Sequence, residues 1–138
     1  MKSSSVKLGV ILIGLAIFGY MEVWGADWKL FSSIDEADLY YDVESITHPS
    51  KGVVRVWTKS VYTGESASEI VVRVGEEYKN VTSSVDLKEI NCSERKYRIV
   101  FTAYYSTDGI LDSESKVTEW RYIAPKAVLD KLLKAVCK

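Results

Sequence analysis

Two cysteines, a single histidine and a short row of cations around a tryptophan are the residues of this chain whose types could do chemistry. Cys92 stands near the middle and Cys137 is the penultimate residue. An even thiol count in a chain that starts with an export signal reads as one disulfide tying the C-terminus to the middle of the fold. The alternative is two free, buried thiols. His48 lies beside Pro49 in a loop-like stretch. A Ser-His-Asp or Cys-His mechanism would need that imidazole held against a nucleophile, and a surface loop does not hold it there. Too few His, Cys and carboxylate side chains converge for a metal site, so no catalytic residue, no metal and no cofactor is expected. Glu76, Glu77, Glu114 and Glu119 read as solvated faces rather than as an acid and base pair. Arg55, Trp57 and Lys59 alternate along one stretch, which puts them on one face of a strand, with Lys96 and Arg98 available from another. Cations flanking an indole suit an anionic or extended ligand, through charge and cation–π contact. The competing reading packs Trp57 and lays the Arg and Lys stems over it.

The start of the chain says where such a face would work. Met1–Lys7 carries Lys2 and Lys7, and the run from Leu8 to Met21 is uncharged and apolar. That is the shape of a signal peptide, and at about 14 residues the run is shorter than the roughly 20 that cross a bilayer as a helix. Val23-Trp24-Gly25 presents a β-branched and a small residue at the two positions a signal peptidase inspects, so residues 1–25 are read as the leader and 26–138 as one mature domain. No cysteine precedes Cys92, so a lipid-attachment site is not expected. Residues 1–25 hold two of the 18 basic and one of the 19 acidic side chains, which leaves 16 and 18 and a net charge of −2. Such a balance argues against nucleic acid as a partner. The expectation is an exported protein with no membrane span after cleavage, placed in the periplasm, on the cell surface or in the medium.

The elements that would position these residues are mostly strands. Trp28–Phe31 and Asp38–Val43 are short strand-like runs, and Thr47–Gly52 reads as a loop by its proline and glycine. Val53–Tyr62 is the densest run of β-branched and aromatic residues. Its alternation predicts Val54, Val56, Thr58, Ser60 and Tyr62 toward a core and the odd-numbered residues partly wet. Between Gly64 and Asn80, Ile70, Val71, Val74 and Tyr78 recur at helical spacing and predict a helix. Val81–Cys92 and Lys96–Ser106 form a hairpin across Ser93-Glu94-Arg95, with Tyr97, Ile99, Phe101, Ala103 and Tyr105 taken as one core-facing row. Asp108-Gly109 marks a tight turn into Ile110–Ser113, and Glu119–Ile123 makes a last edge segment. Pro125 then opens a helix whose apolar stripe is Val128, Leu129, Leu132, Leu133 and Val136, with Cys137 in phase and Lys126, Asp130, Lys131 and Lys134 outside. The fold class is therefore α+β: an antiparallel sheet with a C-terminal helix packed on it and tied by one disulfide.

Several scattered groups of residues carry a family resemblance. They are Tyr40-Tyr41-Asp42, Ser45-Ile46, Val54-Arg55-Val56-Trp57 with Lys59, Leu87, Glu89-Ile90-Asn91-Cys92, Lys96-Tyr97-Arg98, Asp108-Gly109, and the ending Trp120, Ile123, Pro125 and Val136-Cys137. Together, from about Trp28 to Cys137, they resemble the bacterial surface-adhesin protein E family. The resemblance implies an antiparallel sheet with a C-terminal helix fastened by a Cys92–Cys137 bond, and export in a Gram-negative bacterium. For the member that gives the family its name it implies binding of host matrix and serum proteins at the cell surface. The reading reached is an exported, noncatalytic binding domain for a protein or extracellular polymer. A periplasmic structural or assembly component of an envelope complex is the alternative.

Overall fold

Ten consecutive residues of high β-propensity, Val53–Tyr62, form the strand on which the sheet is built. The computed structural model describes residues 26–63 and 80–138. The leader expected over 1–25 and the helix expected between Gly64 and Asn80 lie outside the described residues. In chain order the strands are β1 (Trp28–Ser33), β2 (Ala37–Asp42), β3 (Thr47–Ser50), β4 (Val53–Tyr62), β5 (Val81–Asn91), β6 (Lys96–Ser106), β7 (Gly109–Glu114) and β8 (Arg121–Tyr122), followed by the helix α1 (Val128–Val136). All pairings are antiparallel, in the order β1-β2-β4-β5-β6-β7, with β3 on β4 and β8 on β6. The described residues are thus mostly sheet, with one helix at the C-terminal end.

Period-two alternation separates two faces, as the sequence predicts for β4. Val54 and Val56 are buried beside Ile90, and Leu132, Leu133 and Val136 of α1 close over them together with Ile123. Farther along the same face the strands turn polar. Lys88 donates to Thr58 Oγ1 at 2.6 Å and to Asp86 Oδ2 at 2.9 Å, and Thr102 donates to the other Asp86 oxygen at 2.7 Å. Each buried polar group there has a partner, which removes the penalty of stranding it away from water.

One expected row is divided. Lys88 faces Ile99 but Leu87 faces Phe101, so Val100 is an extra residue, a β-bulge, and the strand changes phase across it. Tyr97 and Ile99 stay on the helix side. Phe101, Ala103 and Tyr105 go to the opposite face, which corrects the single core-facing row read from alternation. Thr47–Ser50, read as a loop, is a short strand. Its residues are all exposed on an outer edge, where Pro49 need not donate a ladder hydrogen bond, and the reversal comes at Gly52 with φ +77°.

Both ends of α1 are fastened to the β5–β6 hairpin. Cys137 caps the C-terminus and is bonded to Cys92, closing a sequence separation of 45 residues. At the other end Asp130, expected outside the apolar stripe, is buried. It accepts from Arg95 Nη2 at 2.7 Å, from the Lys126 N–H at 3.0 Å and from Lys134 Nζ at 3.2 Å. The Arg95 bond, then the Lys126 N–H, hold its carboxyl well below the usual range against the opposing effect of burial. Asp130 turns inward because it is the third helical residue and reaches back to cap the entry. That entry is later than Pro125: Lys126 is left-handed at φ +68°, Ala127 is the N-cap and the helix begins at Val128.

Candidate ligand-binding face

Trp57 sits where the outer edge of β4 changes partner. Tyr41 of β2 faces Thr58 and Thr47 of β3 faces Arg55, so the backbone N–H of Trp57 falls in the gap between them. Ser45 fills it: its hydroxyl accepts from that N–H at 3.0 Å and donates to the Asp42 carbonyl at 2.8 Å. Asp42 in turn caps the 3-10 turn Val43–Ser45, with Oδ1 accepting the N–H groups of Glu44 and Asp27 at 3.0 and 2.8 Å. A strand break is thereby converted into a rigid seat for one indole.

On the face turned away from α1 the cross-strand rows run Trp57–Leu87–Phe101 and Tyr40–Lys59–Val85–Ala103. The Trp57 and Phe101 rings meet edge to face, with centroids 5.8 Å apart at 77°. Around them lies a cavity of about 480 Å³, lined from the sheet by Trp57, Val85, Phe101, Ala103 and Tyr105. Among the described residues it is also lined by Ala26, Trp28, Asp42 and Ser45 on one side and by Ile110 on the other. Trp28 belongs to β1 and Ile110 to β7, the two outermost strands of the six-strand order. Five strand spacings of about 4.8 Å would hold them roughly 24 Å apart in a flat sheet. The sheet must therefore curl, with this face concave.

Beside the cavity runs a charged ladder. Glu89 is buried and accepts from Arg55 Nε at 3.0 Å, from Arg55 Nη2 and from Arg98 Nε at 2.8 Å, while the Arg98 guanidinium lies 4.5 Å over the Trp120 ring. Burial pushes the Glu89 carboxyl up, but the hydrogen bonds and charges of the two guanidinium groups more than reverse this, and it stays below its ordinary value. Lys59 is placed differently, 5.5 Å from the centroid of the Trp28 ring. Among the described residues no group of three or more His, Cys, Asp and Glu is placed to hold a metal, and no helix is long and apolar enough to cross a membrane.

The family model of surface-adhesin protein E matches residues 28–138. The chain belongs to that family. The structure of crystal form II of Haemophilus influenzae protein E has the same fold as this adhesin E chain. The match has a TM-score of 0.51 at 18% identity and covers 78% of this chain and 91% of that one. No curated protein sequence matches.

Of the residues singled out from the sequence, the adhesin E fold brings Arg55, Trp57 and Lys59 to one half-buried face, as alternation requires. It does not give them one role. Trp57 lines the cavity, Lys59 stands over a different indole, and Arg55 is bound to Glu89 rather than left as a cation beside Trp57. Arg98 joins the same carboxylate, whereas Lys96 pairs loosely with Glu94 at 3.5 Å and covers Tyr122. Trp28, Phe101 and Ile110 were missed. Phe101 was assigned to the core because the bulge before it leaves no mark on hydrophobic alternation. Trp28 and Ile110 approach only through the curl of the whole sheet. The disulfide expected between Cys92 and Cys137 is present. His48 is exposed on β3.

Proposed function

We propose that this adhesin E domain is an exported, noncatalytic binding protein that takes a protein or extracellular polymer on the face of its sheet turned away from α1, around Trp57. The observation that carries this reading is the concave aromatic hollow, with the Trp57 indole seated by Ser45 and the Lys59 ammonium over the neighbouring Trp28 ring. Concave, mostly apolar surfaces with a few converging polar groups are where proteins hold ligands. The name of the family points to adhesion at a surface, and the leader read from residues 1–25 supplies export. Enzymatic use of the carboxylates is disfavoured on chemical grounds. Glu89 and Asp130 are both held in the charged form by guanidinium partners, the opposite of what a general acid requires.

The test displays residues 26–138 on a non-adherent bacterium and measures retention on plates coated with solubilised extracellular matrix. Display of the parent should raise retention above that of the empty carrier, Trp57→Ala should return it to background, and Lys59→Glu should weaken it most at low salt. Lys59 is the cleaner charge to reverse, since Arg55→Glu would also strip a partner from buried Glu89. Retention equal to the carrier alone, or unaffected by both changes, would sink the proposal.

A further inference from the structure

We infer that the outer face of α1 docks this domain electrostatically on a bilayer surface rich in anionic phosphate head groups, with the Trp57 hollow turned away from the lipid. From Ala124 to Lys138 the exposed residues are Ala124, Pro125, Lys126, Lys131, Lys134 and Lys138, most of them lysine and none acidic. The one carboxylate of the stretch, Asp130, is buried, and Arg95 of the β5–β6 hairpin meets its charge. The chain as a whole has no such bias. Residues 26–138 hold 16 basic and 18 acidic side chains, whereas residues 124–138 hold four and one. Helix stability does not ask for this pattern. Lys134, in the last turn, suits the helix dipole and pairs with Asp130 at 3.2 Å, while its side chain stays 70% exposed. Lys126 stands before the N-cap, where the same dipole disfavours a cation. Among the described residues Lys131 forms no ion pair, and its ammonium donates only to Ser32 Oγ at 3.4 Å. Lys131 and Lys134 lie three residues apart and so share one face of the helix. With α1 only nine residues long, about 13 Å, the cations at its entry, outer face and exit form one strip.

The make-up of the strip selects its occupant. Protein partners are held by aromatic, apolar and arginine anchors, and their interfaces are poor in lysine. The strip has no arginine, and none of the large apolar side chains exposed elsewhere falls within it. Lysine is a compact, hydrated charge on a flexible stem that makes no forked demand on its partner. That suits a surface of many equal, laterally mobile phosphates, to which each lysine within a Debye length adds its own attraction. The apolar stripe of α1 is packed against Val54, Val56 and Ile90, so the helix has no free apolar face to bury among acyl chains and contact is by charge alone. Because α1 covers the side of β4 that carries Val54 and Val56, docking by its outer face leaves the opposite side, with Trp57, open to solvent. The inference does not depend on what the hollow holds, and its readout is separate from retention on matrix.

The experiment sediments the disulfide-bonded protein of residues 26–138 with vesicles of phosphatidylcholine alone or mixed with an equal amount of phosphatidylglycerol, at low and at high salt. The expected result is binding to the mixed vesicles at low salt, release at high salt, none on phosphatidylcholine, and tryptophan emission that does not move. Lys131→Glu changes the strip by two charges and should weaken binding roughly 25-fold, at about fivefold per charge. Lys96→Glu makes the same change on the side turned away from α1, since Lys96 alternates with Tyr97 of the core, and should cost less than about twofold. Lys126→Gln, Lys131→Gln and Lys138→Gln together should bring sedimentation to background. No binding to the mixed vesicles at low salt would overturn the inference, as would equal binding to both kinds of vesicle. So would indifference to Lys131→Glu, or an equal loss with Lys96→Glu. A shift of tryptophan emission on binding would put the aromatic side in lipid and overturn it too. Capture of soluble polyglutamate, with none on vesicles, would assign the strip to an acidic protein instead.

Discussion

Replacing Glu89 by glutamine keeps the side chain's shape and removes its charge, and the structure says how much that should cost. Three charge-assisted hydrogen bonds end on this carboxylate, two from Arg55 and one from Arg98. At about 1.5–3 kcal/mol each they would sum to roughly 4.5–9 kcal/mol if every donor were lost to a dry interior. Both arginine side chains are however partly in water, 40% and 34% exposed, and recover solvation when the carboxylate charge is gone. The amide oxygen also keeps one acceptor in place. Glu89→Gln should therefore lower stability by about 2–3 kcal/mol at neutral pH. Urea denaturation should read this as a lower midpoint with an unchanged slope. The pH dependence has a definite sign. Glu89 is held below its ordinary value in the folded protein, so its stabilisation is complete above the usual carboxylate range and is lost as pH falls through the lower, folded value. Protonated glutamate and glutamine should then be near equivalents, and the parent and variant curves should converge in strong acid. A difference below about 0.5 kcal/mol at neutral pH, the size of an ordinary surface change, would refute the argument. So would a gap that persists undiminished in acid.

The joint change Cys92→Ser with Cys137→Ser opens a separation of 45 residues and should cost about 4 kcal/mol in the chain-entropy model. Hydrogen exchange should show the last turn of α1 loosening first, and a loss below about 1 kcal/mol in urea would contradict the model. Lys88→Met strands the Asp86 carboxylate with Thr102 as its remaining side-chain donor and should cost about 3 kcal/mol. Adding Asp86→Leu should recover part of the loss in the same assay, and a double variant weaker than the single one would refute the stranded-charge account.

Much of the fold was legible because local rules and tertiary demands agree. The boundaries of β4 and β6 follow from β-branched density and turn residues, and Val54 and Val56 are buried where alternation puts them. The stripe of Leu132, Leu133 and Val136 with Cys137 in phase brings the thiol to Cys92. Asp130 was misplaced for a definite reason: a carboxylate at a helix start is solvated by default and turns inward only when a distant guanidinium, here Arg95, meets it. The Arg55–Trp57–Lys59 face was legible as a face, since period two requires it. Its chemistry was not, because the partners that divide the three residues, Glu89 and Trp28, come from other strands. The opposite edges of the sheet meet across the hollow only through curvature, a property of six strands together that no single run of residues encodes.

The extra residue at Val100 has a consequence for how such a domain can change over generations. Upstream of it the odd-numbered side chains of β6 serve the interior, and downstream the odd-numbered ones furnish the hollow. One strand thus supplies two surfaces that answer to different pressures, and the joint between them is a single codon. Substitutions at Phe101, Ala103 or Tyr105 can retune the hollow while Tyr97 keeps its place under α1. Deleting Val100, by contrast, would turn every residue beyond it over at once, driving the rings toward the polar pair of Lys88 and Asp86 and leaving the hollow without its floor. Variation on this face is therefore expected to proceed by exchange of side chains and not by change of length.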